Sequence, residues 1–213
     1  MRTHLRVAAV ALATACAACL AQHWEVDGVV GGGAYGSADL ANRYGRASAG
    51  LAPGALFGAS LVQHYYRYVS GEIRWAFQRS DLKVASGAET VKFRGSTHAI
   101  HYDWLFHARP REAPLRPFLA AGAGFKQFRG TGAESAYQPL GQFALLTRTR
   151  EWQPLITLGG GVRVRLSRRF WLTGELRDYL TPFPKKVIAP VGGARLDRWL
   201  HDLAPSVALG LRF

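Results

Sequence analysis

The sequence predicts an all-β chain: an eight-stranded antiparallel up-and-down β-barrel whose strands cross a membrane. Three observations carry this expectation. Eight stretches alternate with period two, as strands do, because successive side chains leave opposite faces. Connection lengths alternate as well, long after strands one, five and seven, moderate after strand three, and short after strands two, four and six. A soluble sandwich has no reason to sort loops by parity, whereas a membrane barrel has short turns at one end and long loops at the other. Finally, Trp24, Tyr65, Tyr66, Tyr68, Trp104, Phe106, Phe170, Trp171 and Phe213 gather near the short turns, where such a barrel carries an aromatic girdle. Trp75 and Phe77 sit mid-strand, so the sorting is incomplete.

The chain has 213 residues. Met1 to Ala21 read as a secretory signal peptide, with Arg2 and Arg6 ahead of an uncharged run from Val7 to Leu20 and a small-x-small site at Cys19-Leu20-Ala21. That run is too short for a comfortable membrane helix. The mature barrel is then expected over 22–213. Cys16 and Cys19 lack the Leu three residues upstream that a lipidated N-terminus prefers. Both cysteines fall in the leader, so the mature chain has no disulfide and no cysteine-based metal site. No metal or other cofactor is expected. The formal charge is +13, or +11 without Arg2 and Arg6. Such a surface suits phosphate-bearing partners. For an exported protein these are anionic lipid head groups rather than nucleic acid.

Taken in order, the first strand spans Trp24 to Tyr35, with Val26, Gly28 and Val30 opposite Glu25, Asp27 and Val29. Gly31-Gly32-Gly33 has no following helix and no Lys-Ser/Thr, so it is not a phosphate loop. A polar loop is expected over 36–47. The second strand covers Ala49 to Leu61, weakened by Pro53, which lacks a ladder donor. The third carries Val69, Gly71, Ile73, Trp75 and Phe77 opposite Ser70, Glu72, Arg74, Ala76 and Gln78. A loop near Lys83 to Lys92 precedes the fourth, Phe93 to Phe106. The fifth is Leu115 to Phe128, followed by the longest loop, 129–153, whose apolar piece Phe143 to Leu146 could extend the flanking hairpin. Leu155 to Leu166 and Phe170 to Leu180 form the sixth and seventh around the tight turn Ser167-Arg168-Arg169. A proline-containing loop, 181–201, includes a helical turn at Arg198-Trp199-Leu200. The eighth strand ends the chain with Val207, Leu209, Leu211 and Phe213 alternating with Ser206, Ala208, Gly210 and Arg212.

With its signal, its alternating Gly/aromatic strands and Val207-Ala208-Leu209-Gly210-Leu211-Arg212-Phe213, the chain resembles the small eight-stranded outer-membrane barrels of the OmpA/OmpX type. The resemblance covers the whole mature chain. It implies the outer membrane of a Gram-negative envelope, with lipid and lipopolysaccharide as surroundings. It also implies that the assembly machinery reads the terminal strand through Val207, Leu209, Leu211 and Phe213. The motifs are specific for the barrel class and weak for any one function.

If the apolar faces meet lipid, the lumen collects Glu25, Asp27, Glu72, Arg74, His101, Asp103, Arg116, Arg163, Arg165, Glu175, Arg177 and Arg212. Eight strands leave room only for side chains, and buried charges persist when paired. A salt-bridged plug is expected, with Glu25 near Arg212 where the first and last strands meet. No catalytic residue is assigned. The expected role is therefore non-enzymatic, with envelope structure or interaction carried by the loops. Basic loop residues Arg129, Arg148, Arg150, Lys185, Lys186, Arg195 and Arg198 could contact lipopolysaccharide phosphates. The alternatives are a narrow gated pore, a soluble lipid-binding barrel, and a lipid-modifying enzyme. The last would use Ser96 and His98, two apart on one face, with Asp81 to orient the histidine. Their order, Ser-x-His, is the reverse of the His-x-Ser of lipid A deacylases.

Overall fold

The computed structural model describes residues 24–130, 138–192 and 199–213. The expected signal peptide at 1–21 lies outside the described residues, as do Arg195 and Arg198. The described residues form β1 (Trp24–Tyr35), β2 (Ala38–Asn42), β3 (Gly45–Leu51), β4 (Gly54–His64), β5 (Val69–Arg79), β6 (Leu82–Ser86) and β7 (Glu89–Phe93). Then come β8 (Gly95–His107), β9 (Leu115–Gly130), β10 (Ala144–Leu146), β11 (Arg150–Arg165), β12 (Phe170–Pro182), β13 (Ile188–Pro190) and β14 (Trp199–Arg212). Eight of these close a barrel in the order β1-β14-β12-β11-β9-β8-β5-β4, all neighbours antiparallel.

The register fixes the barrel's dimensions. Starting at Val162 on β11 and stepping between Cα partners, one passes Gly174, Val207, Val30, Phe57, Phe77, His98 and Gln127, and returns to β11 at Trp152. The circuit is displaced by 162 − 152 = 10 residues, which is the shear. With strand spacings of about 4.8 Å and a rise of about 3.3 Å per residue, eight strands at this shear tilt by about 40° around a backbone cylinder of about 8 Å radius. That width admits side chains and little else.

The alternation divides the strands into two faces. Outward lie Val26, Val30, Phe57, Ile73, Ile100, Leu119, Phe125, Leu158, Leu176, Val207 and Leu209, each more than a third exposed. In water so continuous an apolar surface would be an aggregation hazard; against lipid it is the solvated face. Inward lie charges and small residues. Gly122 is an inward position where only glycine fits, and Gly210 faces the carboxylates of Glu25 and Asp27. A Cβ at Gly122 would run into the Tyr102 carbonyl and the Asp103 backbone, whereas one at Gly210 would meet the carboxylate ends of Glu25 and Asp27. The aromatic grouping needs one correction: Trp171 is fully buried and points into the lumen, because its parity is that of Thr173 and Glu175.

The long-loop end departs from the sequence expectation. The region 36–47 is not a loop but most of the β2–β3 hairpin, turning at Gly45, whose φ of 128° suits glycine. The expected second strand is two, β3 and β4, broken at Ala52-Pro53. The loop near Lys83 to Lys92 is the β6–β7 hairpin, turning at Gly87 with φ 59°. These strands form a sheet in the order β2-β3-β6-β7. Ala144–Leu146 does not extend the flanking hairpin but pairs with Ile188–Pro190 of the next connection. Trp199 and Leu200 open β14 rather than forming a helical turn. Leu40, Leu82, Phe128, Leu146, Phe183, Val187 and Ile188, none more than 2% exposed, anchor one apolar core joining these pieces. The described parts of these connections thus fold into a dome around an apolar core.

Candidate functional site

The most concentrated chemistry is inside the barrel. β5 supplies Glu72 and Arg74, β8 supplies His101 and Asp103, and β12 supplies Glu175 and Arg177, all inward by parity and at most 7% exposed. Arg74 donates to Glu72 Oε1 from Nε at 3.0 Å and from Nη2 at 2.8 Å, and also pairs with Glu175. Arg177 reaches three carboxylates: Glu72 at 2.5 Å, Glu175 Oε2 at 3.0 Å from Nε, and Asp103. Ser206 donates to Glu175 at 3.0 Å, Thr157 donates to Asp103, and His101 Nδ1 lies 3.0 Å from Asp103. Each carboxylate therefore has several partners, the condition under which buried charge is tolerated. The cavity bounded by these groups measures about 10 Å³, room for about one water.

At the short-turn end Arg163 pairs with Glu25, and Arg212 Nη2 lies 3.7 Å from Glu25 Oε2, where β1 meets β14. Ser60 donates to Asp27 at 3.1 Å. Arg116 is fully buried directly opposite Arg163. Arg165 is corrected: it shares the inward parity of Arg163, but as the last residue of β11 it lies at the rim and is exposed.

Sequence reasoning missed two groups here. Toward the dome, Lys126 Nζ lies 2.6 Å from Asp202 Oδ2, beneath Gln78, Tyr35 and Thr97. Lys126 has the inward parity of Arg116, and Asp202 that of Ser206, so strict continuation of the alternation would have found both. The second group is a hydrogen-bonded chain: His107 Nε2 to Ser70 Oγ (3.1 Å), Ser70 Oγ to His64 Nδ1 (2.8 Å), and His64 Nε2 to Glu25 Oε2 (3.3 Å). It has the residue types of a Ser-His-acid triad. Yet Ser70 is 0% and His64 2% exposed, so the hydroxyl has no approach for a substrate. The chain orders the two imidazole rings against Glu25, with the Ser70 hydroxyl closed off from the surface.

Ser96, His98 and Asp81 do not form a reactive set. The His98 ring stacks on Trp75 (centroids 6.2 Å, 29°) and leans on Phe77 (5.0 Å). Asp81 instead accepts from the Gly95 backbone N–H at 3.4 Å. His98 and Gln127 lie in an outward groove of about 260 Å³ between Trp75 and Trp152. Two residues further along the same ladder, Arg129 and Arg150 stand directly opposite each other, both exposed.

A closed barrel of eight tilted strands, apolar outside and ion-paired inside, defines a small barrel of the outer-membrane type. The comparisons with solved structures agree with that fold. The chain is similar to the outer membrane protein OprG from Pseudomonas aeruginosa (TM-score 0.60, 12% identity, 91% of this chain and 96% of that one). It is also similar to Neisserial surface protein A, NspA (TM-score 0.51, 12% identity, 89% of this chain and 97% of that one). The outer membrane protease OmpT from Escherichia coli matches at a TM-score of 0.45 and 7% identity, over 91% of this chain and 97% of that one. No family model matches the sequence, and no curated protein matches it.

Proposed function

We propose that this protein is a non-enzymatic, non-conducting outer-membrane barrel. Its lumen is a structural core, and its dome and outward surface meet lipopolysaccharide and other envelope partners. The observation that supports this reading is the filling of the lumen. Arg74 and Arg177 bind three carboxylates around a void of about 10 Å³, a packing that supports a closed lumen. Interaction then falls to the exterior. There the opposed Arg129 and Arg150 sit above an apolar groove, a match for a lipid with a phosphorylated head group.

The experiment is a binding comparison of refolded wild type and the Arg129→Ala/Arg150→Ala double variant. The probes are lipopolysaccharide micelles and phosphatidylethanolamine vesicles. Wild type is expected to prefer lipopolysaccharide and the variant to lose that preference; equal binding by both proteins contradicts the assignment. Release of fatty acid from lipid A by wild type would contradict the non-enzymatic reading. In biogenesis, the outward row Val207, Leu209, Leu211 and Phe213 serves as the assembly signal. Deleting Phe213 should lower the amount inserted in cells while leaving the refolded barrel heat-modifiable.

A further inference from the structure

We propose that the short-turn end of the lumen holds a small monatomic anion of the halide class between Arg116 and Arg163. Hydrogen-bond accounting points there. Arg116 is fully buried, and none of its three guanidinium nitrogens has a hydrogen-bond partner. Arg163, 1% exposed, uses one nitrogen on Glu25 and leaves Nε and Nη1 without a partner. Nε of Arg212 and the indole N–H of Trp171 are unpartnered as well. All of these are donors with no accepting capacity. Within the described lumen, Asp27 Oδ1 is the one carboxylate oxygen left to receive them.

Register sharpens the case. Arg116 and Arg163 are direct cross-strand partners on β9 and β11, and like charges in that position repel. Trp171 forms an adjoining wall, with the Arg212 and Arg163 guanidinium carbons 4.8 Å and 5.9 Å from its ring. Counting charge, Arg116, Arg163 and Arg212 face Glu25 and Asp27 at this end, an excess of one positive charge (3 − 2). One monovalent anion removes the excess and accepts from several donors at once. A neutral water accepts only about two hydrogen bonds and leaves the repulsion in place. Size selects within the class. A backbone cylinder of about 8 Å radius filled with side chains leaves space for a single atom rather than a tetrahedral oxyanion.

The test uses the refolded barrel in detergent. Crystals soaked in bromide should show an anomalous peak between Arg116 and Arg163, within hydrogen-bonding range of both. In solution, replacing gluconate by chloride at constant ionic strength should raise the temperature of heat modification by several degrees. The Arg116→Gln protein should lose that response. If Arg116→Gln does not fold, the wild-type diffraction measurement decides alone. Three results would overturn the proposal: no peak at this position, guanidinium groups closed onto Asp27 instead, or equal stabilisation by sulfate and chloride.

Discussion

The barrel lumen and the dome above it are two interiors built on opposite principles. The lumen is held by ion pairs: Glu72, Asp103 and Glu175 against Arg74 and Arg177, with Lys126 against Asp202 nearer the dome. The dome is held by apolar contact among residues such as Leu40, Phe128, Leu146 and Ile188. The difference follows from what lies outside each. The barrel wall turns its apolar side chains to lipid, so strict alternation leaves the other face to polar groups. The dome stands beyond the lipid among water, so its hairpins bury their apolar faces inward as soluble proteins do. The two regions should therefore fail differently. Losing one charge in the lumen strands its partners in a confined space, whereas trimming the dome leaves a local cavity.

The largest effect is expected from Arg177→Met, which removes a partner from three buried carboxylates. It should cost about 3–5 kcal/mol, read as a lower urea midpoint for the refolded barrel and loss of heat-modifiable migration. Phe128→Ala should cost the dome about 3–5 kcal/mol at most. Its signature differs: the barrel migrates as folded while protease cuts appear in the connections at the long-loop end. If Phe128→Ala opens the barrel as Arg177→Met does, the two interiors are one cooperative unit and the comparison fails. Gly210→Ala places a methyl against the carboxylates of Glu25 and Asp27. An overpacking cost of about 1–3 kcal/mol is expected, again in urea. The smallest effect belongs to the exposed Arg67–Glu112 pair, 3.7 Å apart in the turn region. Glu112→Ala should change stability by less than about 1 kcal/mol, and a larger loss would show that the short-turn end is not simply solvated.

The sequence made the barrel legible because each wall strand is long and strictly alternating. Trp24–Tyr35 and Val69–Arg79 begin where the pattern begins. Most luminal charges follow from the same parity. Arg165 does not, because parity says which way a side chain points and not where the barrel wall ends. The dome was hidden for a different reason. Its strands are three to seven residues long and bury small side chains such as Ala38, Ala47 and Ala49, too little alternation to distinguish a hairpin from a loop. The β10–β13 pairing joins positions more than forty residues apart, which no local pattern encodes. The Ser70 chain was missed because it joins single residues on four strands, β1, β4, β5 and β8, which no pattern within one strand shows.

Planar-bilayer recording on the refolded wild-type protein measures whether the ion-paired lumen leaves a conducting path. No sustained conductance is expected if the lumen is filled by ion pairs. Steady, large conductance steps from the wild-type protein would contradict it.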